Sequence, residues 1–350
     1  MKIAYHYPNP DSIYAYRAIY HGFKNAFTDL GHEFHTFTAN DSLADFLNQH
    51  RPDIFLTATH YYHKKFLDFE LMKKYRNAGM RVCVRIDFWD SPLHRNRINE
   101  AKSLKDDRDT VALIKNGSYG DVFYHVVEQG DRRMEGFEKE TGYAYHTVPL
   151  AADAVTLHGF FKDEFASDIS YIGTNLPQKK EFFNKYLFPL KVRYRTKIYG
   201  QDWNLFDKAT GFIQKIGQYY NIPGVKSFKK PPLSLEDEGN IYRSSTISVN
   251  IHEDFQREYG GDCNERTFKI PLCGGFEITD DVACIRKYFK EGEEIVIAKN
   301  RDEWYDKIDY YLKNPDKRVD IIAKGMQRVQ RDHTYHNRAR QIIELCASAR

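Results

Sequence analysis

The residues whose types and spacing point most clearly to chemistry lie between Asn264 and Asp281, in the segment NERTFKIPLCGGFEITDD. Arg266 opens an apolar run with helical character, and Gly274 and Gly275 end that run. The free N–H groups and positive dipole end of a helix N-terminus, next to an arginine, make a good diphosphate site. A capped structural helix with Arg266 in an ion pair is the alternative that spacing alone leaves open.

Other polar and aromatic residues stand where predicted strands end. Ligands of open α/β sheets bind beyond the carboxyl ends of the strands, so these residues are candidates to line a binding cleft. In the second half of the chain they are Gly173, Thr174, Tyr199, Gly200, Trp203 and His252. The structural alternatives are a plain turn at Gly173 and Thr174 and a hydrogen-bonded core histidine at His252.

The first half of the chain offers weaker candidates of the same kind, namely Asn9, Asp11, His60, Asp87 and Asp90. A carboxylate or an imidazole among them could deprotonate a hydroxyl group within hydrogen-bond reach. As turn or ion-pair residues, Asp87 and Asp90 would have structural roles only.

Motifs for phosphate loops and metals are missing from the sequence. It contains no GxxxxGK[ST], GxGxxG or HExxH pattern. The pairs His60-x-x-His63 and His333-x-x-His336 have no cysteine or carboxylate ligand of zinc-site type nearby, so we interpret them as surface or capping histidines. The sequence therefore predicts neither a metal site nor a cofactor.

The elements that must position these residues alternate between strands and helices, which is typical of a parallel sheet covered on both faces. The predicted strands of the first half are Lys2–His6, Glu33–Phe37, Asp53–Thr59, Arg81–Asp87, Asp121–Val127 and Ala144–Val148. Those of the second half are Asp168–Ile172, Thr196–Tyr199, Thr246–Ile251, Phe276–Thr279 and Glu294–Ala298. The predicted helices between them include Tyr16–Leu30, Lys64–Asn77, Lys179–Tyr186 and Leu235–Tyr242.

The pattern predicts two Rossmann-like βα domains, at residues 1–160 and 161–335, followed by a C-terminal helix at 336–350. Asn300 and Glu303 have the spacing of a capping box before the helical tail.

Composition and charge exclude several classes of protein. Charged residues are 29% and hydrophobic residues 41% of the 350, a globular composition that is not disordered. The net charge of +3 makes nucleic acid a poor default partner, and no apolar run has the length of a membrane span. Pro8 and Pro10 interrupt MKIAYHYPNP before a signal peptide could form. Five scattered cysteines without CxxC spacing predict reduced thiols in a cytoplasmic protein.

The segment NERTFKIPLCGGFEITDD resembles the Asn-x-Arg-x-Phe-Glu…Cys-Gly-Gly segment of CgeB-like glycosyltransferases, the spore-maturation-protein group. Further pieces similar to that family occur in the same order over roughly the last 180 residues. They are DISYIGTN at 168–175, KIYGQDW at 197–203, SVNIH at 248–252, YYLKNPDKRVDIIAKGMQRV at 310–329 and HTYHNRA at 333–339. In the first half, FWDSP at 88–92 is similar to an Asp-x-Pro turn of the family.

The resemblance implies a GT-B glycosyltransferase, in which two Rossmann-like domains face an inter-domain cleft and the final helix crosses back to the first domain. The N-terminal domain would bind the acceptor and the C-terminal domain the nucleotide sugar, without a metal. The implied donor-binding residues are Gly173, Thr174, Tyr199, Gly200, Trp203, Asn264, Arg266, Thr267, Lys269, Gly274 and Gly275. The acceptor-side residues are Asn9, Asp11 and His60, and the catalytic candidates are Asp87, Asp90 and His252. Whether the reaction retains or inverts the anomeric configuration stays open.

One residue departs from the family pattern. The family places a Glu after the Phe, where its carboxylate accepts hydrogen bonds from the ribose, but this chain has Lys269, which only donates. Three interpretations stay open: Lys269 contacts an anionic part of an unusual donor, Glu265 or Glu277 takes the ribose role, or donor binding is lost. An exposed Lys269 without a ligand is the structural alternative.

The sequence therefore predicts a cytoplasmic, metal-independent transferase that moves a sugar from a nucleotide sugar to a glycan, a protein or another hydroxyl-bearing acceptor. The alternatives are a non-catalytic nucleotide- or sugar-binding relative and a nucleotide-sugar epimerase of the same fold. Two basic stretches, KSFKKPP at 226–232 and HYYHKKF at 60–66, also leave open a peripheral contact with a membrane or an anionic acceptor.

Overall fold

The computed structural model describes residues 1–9, 16–91, 103–220, 222–225, 228 and 233–349. The chain forms two compact units. The first consists mainly of Ala18–Pro149 with the N-terminal strand and His336–Arg350, and the second mainly of Leu150–Tyr335.

A six-stranded, fully parallel sheet forms the centre of the first unit. Its strands are β1 (Lys2–His6), β2 (Glu33–Phe37), β3 (Ile54–Ala58), β4 (Arg81–Arg85), β5 (Val122–His125) and β6 (Tyr145–Thr147). They lie in the order β2-β1-β3-β4-β5-β6, so the chain adds strands to both sides of β1. Every residue of β3 is buried, as expected for a strand with both faces of the sheet covered.

Helices that follow the strands cover this sheet. They are α1 (Tyr16–Asp29), α2 (Leu43–His50), α3 (Tyr61–Lys64), α4 (Phe69–Asn77), α5 (Arg108–Lys115) and α6 (Phe137–Thr141). The predicted single helix at Lys64–Asn77 is wrong, because the chain instead forms α3 and α4 as separate helices. The reason is Asp68, whose carboxylate accepts a hydrogen bond from the Leu71 N–H and thereby starts a new helix.

The second unit contains a five-stranded parallel sheet. Its strands are β7 (Ser167–Ile172), β8 (Thr196–Tyr199), β9 (Ser245–Asn250), β10 (Glu277–Asp280) and β11 (Val296–Ala298). The order β11-β10-β9-β7-β8 places the first strand of the unit, β7, between its second and third strands. The connections therefore leave β7 and β9 in opposite directions, which is the switch point where doubly wound sheets bind ligands.

Ten helices belong to the last two hundred residues of the described chain. They are α7 (Lys180–Phe182), α8 (Leu190–Arg193), α9 (Leu205–Tyr219), α10 (Leu235–Ser244), α11 (Asp254–Tyr259), α12 (Arg266–Leu272), α13 (Ile285–Tyr288), α14 (Arg301–Lys313), α15 (Pro315–Asp332) and α16 (Tyr335–Ser348). The predicted helix at Lys179–Tyr186 is α7 continued by a π-helical turn, Phe183–Leu187. No described helix combines the length and the apolar character needed to cross a membrane.

The last helix, α16, packs within the first unit. Its Arg338 Nε donates to the Pro149 carbonyl at 2.8 Å, and Gln341 Nε2 donates to the Thr147 carbonyl at 2.8 Å. The thiol of Cys346 contacts that of Cys83 on β4. These bonds attach the C-terminal helix to the edge strand β6 and to the interior of the first sheet.

Candidate functional site

The strand ends of the second sheet meet closely at the loops after β7 and β8. Gly200 has φ +116°, and a Cβ on it would lie 2.3 Å from the Gly173 carbonyl oxygen. A side chain therefore cannot be accommodated at Gly200, since the conformation and the space both exclude it. Trp203 Nε1 donates to the same Gly173 carbonyl at 2.9 Å, so the two loops that sequence analysis identified are held together.

Arg266 is fixed at this edge by contacts to β9 and β7. Its Nε donates to Asn250 Oδ1 and its Nη2 to the Ile251 carbonyl, each at 3.0 Å. The guanidinium carbon lies 5.7 Å from the ring centroid of Tyr171. Nη1 points beside Gly173 and makes no hydrogen bond to any residue that the structure describes. The site thus presents a held cation whose Nη1 has two unused N–H donors.

Asn250, the last residue of β9, orients this arginine. Its Nδ2 donates to Thr267 Oγ1 at 3.1 Å and to Glu277 Oε1 at 2.8 Å. Its Oδ1 accepts from Asn264 Nδ2 at 2.9 Å and from Arg266 Nε. All four hydrogen-bonding positions of the amide are used, so its orientation is determined.

The N-terminus of α12 differs from the sequence-based expectation. Arg266 N–H donates to Asn264 Oδ1 at 3.0 Å, Thr267 N–H to the Asn264 carbonyl and Phe268 N–H to the Glu265 carbonyl. The expected free N–H groups are therefore already bonded within the chain. The arginine side chain, not the helix end, is the group left to meet an anion.

Lys179 is a second cation at the same place, and sequence analysis missed it. Its side chain is buried, and Nζ donates at 2.9 Å to the Ile251 carbonyl that also accepts from Arg266. Burial, and then the charge of Arg266, lower the pKa of Lys179 from 10.5 to about 7. Lys179 has no ion pair with a carboxylate among the described residues, so two neighbouring cations lack an anion between them.

His252 lies behind these cations in the core. Its Nδ1 lies 2.6 Å from Asp280 Oδ1 and its Nε2 3.3 Å from Thr267 Oγ1. Burial lowers the pKa of His252, against the opposing effect of Asp280. Burial would raise the pKa of Asp280, but His252 and Arg257 lower it to about 2. Both ring nitrogens of His252 are engaged, so the geometry favours the core-histidine alternative for this residue.

Lys269 is buried in an ionic cluster. Its Nζ lies 3.4 Å from Glu238 and 3.5 Å from Glu265. Burial alone would lower the pKa of Lys269, but the two carboxylates outweigh it and raise that pKa. Tyr242 donates to Glu238 at 2.8 Å and Tyr335 to Glu265 at 2.6 Å. Lys269 is therefore neutralised inside the protein, unlike the exposed residue considered from sequence.

Glu277, the other acid considered for a ribose, lies under Asn250. Burial raises its pKa to about 8, so its carboxyl group is mostly protonated at neutral pH. Gly274 and Gly275 lie directly before β10, at the edge opposite its carboxyl end. Arg266 is the first residue of α12 and the glycine pair follows the end of this helix, so the helix length of about 10 Å separates them.

The acceptor-side candidates belong to the first unit. The Asp87 N–H donates to Thr59 Oγ1 at 2.8 Å, and this hydroxyl donates to Asp87 Oδ2 at 3.3 Å, which joins the ends of β3 and β4. His60 caps α3 by accepting from the Tyr62 N–H at 3.4 Å. Asp90 pairs with Lys105 at 2.9 Å and is largely exposed.

Two further predicted residues of this side have little or no described environment. Asn9 is half-buried beyond the end of β1. Asp11 lies outside the described residues. Among the described residues, no group of three or more His, Cys, Asp or Glu side chains could hold a metal ion.

Comparisons with known proteins bear on this architecture. The family described as Glycosyl transferase-like matches residues 180–344, just under half of the chain. No curated protein sequence matches. Residues 180–344 therefore form a glycosyltransferase-like domain.

Solved structures of low sequence identity share the fold of the whole chain. Sucrose-phosphate synthase from Thermosynechococcus elongatus has a TM-score of 0.63 and 11% identity, over 99% of this chain and 98% of the other. Anabaena HepE in complex with UDP and glucose has a TM-score of 0.59 and 12% identity, over 99% and 100%. An alpha-glucosyltransferase in complex with UDP-glucose and DNA containing an abasic site has a TM-score of 0.62 and 12% identity, over 99% of both chains.

The predicted GT-B fold is confirmed by these structures, and the prediction of a glycosyltransferase is confirmed by the family match over residues 180–344. In this glycosyltransferase, sequence analysis found Arg266 through its motif and the glycines through their strand ends. It missed Lys179, Asn250 and Glu238. A polar residue one position before the end of the predicted strand TISVNI was an available signal for Asn250.

Proposed function

We propose that this glycosyltransferase moves a sugar from a UDP-sugar to a hydroxyl group of a glycan, a protein or another acceptor, without a metal ion. The observation that carries the proposal is the pair of cations, Arg266 and Lys179, which share the Ile251 carbonyl and have no ion-pair partner among the described residues. The choice of uridine rests on HepE and the alpha-glucosyltransferase, whose structures contain UDP and UDP-glucose.

The chemistry assigned to the two cations is stabilisation of the leaving group. The bond between the anomeric carbon of the sugar and the diphosphate oxygen breaks, and a bond from that carbon to the acceptor oxygen forms. Negative charge grows on the departing UDP, where Arg266 Nη1 and Lys179 Nζ can each donate a charge-assisted hydrogen bond. Because both side chains are already held, little reorganisation is required.

A base must accept the proton of the acceptor hydroxyl group, and Asp87 is the proposed base among the acceptor-side candidates. Its carboxylate is half-buried and is held by the Thr59 hydroxyl, whereas Asp90 is neutralised by Lys105. In a retaining reaction the leaving phosphate would accept this proton instead. His252 is a weaker candidate, because its two ring nitrogens are occupied.

A carboxylate near position 269 is proposed for the ribose. Lys269 pairs with Glu238 and Glu265, so two carboxylates stand where the CgeB-like pattern has one. Glu265 was a candidate from sequence, and Glu238 lies equally close to the Lys269 amine. Glu277 is less suitable, since burial keeps its carboxyl group mostly neutral.

We also propose that the chain belongs to the CgeB-like group and acts in the cytoplasm. The group assignment rests on the ordered motifs from 168 to 339. The location rests on the five cysteines, all of which are free thiols and buried.

The test measures binding of UDP, UDP-glucose, GDP and ADP by calorimetry in the presence of EDTA. The wild-type protein should bind a uridine nucleotide, and Arg266→Ala should weaken that binding about 10- to 100-fold, the cost of a charge-assisted hydrogen bond. UDP release from the bound sugar nucleotide would then be screened against hydroxyl acceptors.

Arg243→Ala is the matched control. Arg243 is an exposed arginine of the same unit whose Nη1 donates to the Gly274 carbonyl, at the other end of α12. Its replacement should leave UDP affinity unchanged. The proposal is refuted if a folded wild-type protein binds none of the four nucleotides, or if both arginine variants bind like the wild type.

A further inference from the structure

Helix α9 is amphipathic, but its small and polar face is buried and its apolar face is exposed. Its buried residues are the small or polar Thr210, Gly211, Gln214 and Gly217. Its large apolar side chains are exposed to solvent, namely Leu205, Phe206, Phe212, Ile213, Ile216 and Tyr219. A helix that belongs only to a protein core would place these two sets the other way round.

The exposed side chains form one continuous face. Residues 205, 212, 216 and 219 recur at intervals of seven, four and three, and 206, 213 and 216 at intervals of seven and three, so all lie on one side of the helix. Phe206 is 78% exposed and Phe212 65% exposed. Tyr220 and Ile222 extend the exposed apolar surface beyond the end of the helix. Such a surface marks an interaction site.

The charge around this face is positive. Lys208 and Lys215 are exposed, lie seven residues apart and follow one margin of the apolar face. The acid of the helix, Asp207, accepts from the Asp202 N–H at the N-terminal turn. In sequence, residues 205–232 contain five lysines and one aspartate, a net charge of +4, whereas the whole chain has +3. The rest of the chain is therefore slightly negative.

We propose that α9 lies in the interface of an anionic phospholipid membrane and holds the second unit on that surface. Aromatic and aliphatic side chains on one face, with lysines along the margin, are the composition of helices that lie in the plane of a membrane. The phenolic rings of Tyr219 and Tyr220 suit the headgroup level. The net charge of +4 that the sequence carries over residues 205–232, with Lys208 and Lys215 along the margin of the face, matches an anionic surface.

The test is co-sedimentation of the full chain with vesicles of phosphatidylcholine and with vesicles of phosphatidylcholine and phosphatidylglycerol. The wild-type protein should bind the anionic vesicles more tightly than the neutral ones, and added salt should weaken this binding. Phe212→Ser with Ile216→Ser should reduce binding to the anionic vesicles at least about tenfold, because two apolar side chains that the bilayer would bury are lost.

A second variant changes charge alone, so that a loss of vesicle binding can be distinguished from a loss of folding. Lys208→Gln with Lys215→Gln changes only exposed side chains and should reduce anionic-vesicle binding on the order of tenfold, with little change on neutral vesicles. The controls are Phe160→Ser, which removes an exposed phenylalanine elsewhere (64% exposed), and Lys313→Gln with Lys317→Gln. Both controls should bind like the wild type.

Three results would overturn the proposal. The first is that the wild-type protein does not bind anionic vesicles, and the second is that the α9 variants bind them as tightly as the controls do. The third is that the wild-type protein does not bind vesicles but is a dimer by gel filtration with light scattering, and that Phe212→Ser with Ile216→Ser converts this dimer to a monomer. That result would assign the face to a second copy of the chain. UDP affinity is measured in parallel and should be unchanged in every α9 variant, which separates this proposal from that of the donor site.

Discussion

UDP binding should be coupled to the uptake of a proton by Lys179. Burial and Arg266 lower the pKa of Lys179 from 10.5 to about 7 in the free protein. A bound diphosphate would place negative charge beside the amine and raise this pKa. Above pH 7 the free site holds a neutral amine, which must be protonated on binding. UDP affinity should therefore fall as the pH rises from about 7 towards the pKa of the complex.

The expected size of the effect follows from the linkage relation. Between the pKa of about 7 in the free protein and the raised pKa in the complex, a single group weakens binding by up to tenfold per pH unit. Between pH 7 and pH 9 the dissociation constant should rise by up to about 50-fold, which corresponds to about 2.3 kcal/mol. Below pH 7 this contribution levels off.

The assay is isothermal titration calorimetry with UDP from pH 7 to pH 9, in two buffers with different ionisation enthalpies. The difference in heat between the buffers counts the protons taken up. Lower pH is avoided, because the terminal phosphate of the nucleotide itself titrates at about pH 6.

Two lysine variants identify the titrating group. Lys179→Met should bind weakly and with little pH dependence, whereas Lys180→Met, which changes the exposed neighbour, should retain the wild-type profile. A pH-independent affinity in the wild type would refute the assignment of a neutral Lys179 to the donor site. A profile in Lys179→Met that is as steep as the wild-type one would assign the proton to another group.

The remaining predictions concern the glycine contact, the ionic cluster and the metal. In Gly173→Ala the new Cβ would lie 2.6 Å from Tyr171 Oη and 3.1 Å from Arg266 Nη1, so UDP affinity measured by calorimetry should fall about tenfold; an unchanged affinity would place the anion elsewhere. Lys269→Met should cost about 3–5 kcal/mol in urea unfolding at pH 7, because Glu238 and Glu265 lose their cation, and a cost under about 1 kcal/mol would contradict the cluster. Sugar transfer should continue in EDTA, and activity abolished by EDTA and restored by Mg²⁺ or Mn²⁺ would disprove metal independence.

The strands were largely predictable from sequence, and one long helix was not. The predicted Lys2–His6 and Glu33–Phe37 coincide with β1 and β2, because short apolar or alternating runs there are bounded by turn residues. Helix α9 was missed although Asn204 caps it. Two internal glycines lower its intrinsic helix propensity, and its apolar residues face solvent, where core packing cannot explain them.

The site was predictable only where a motif reported it. Arg266 stands in a recognisable segment, so it was found. Lys179 is one of two adjacent lysines after a proline, and nothing local distinguishes the buried one from the exposed one. What selects Lys179 is the carbonyl of Ile251, 72 residues further along the chain, which the order of strands in the sheet brings within 2.9 Å.

Position 269 shows the same dependence on distant residues, and it changes the inference about function. From sequence, a lysine in place of the family's glutamate left three interpretations open, and one of them was that donor binding is lost. In the structure this lysine holds two glutamates, one of them 31 residues earlier in the chain, and the group of three carries one net negative charge. A family pattern with glutamate at 269 supplies one negative charge in this place, and the cluster supplies the same. Under the proposed CgeB-like assignment, a carboxylate therefore stays beside position 269 and comes from another element, so Lys269 by itself gives no reason to favour the non-catalytic alternative.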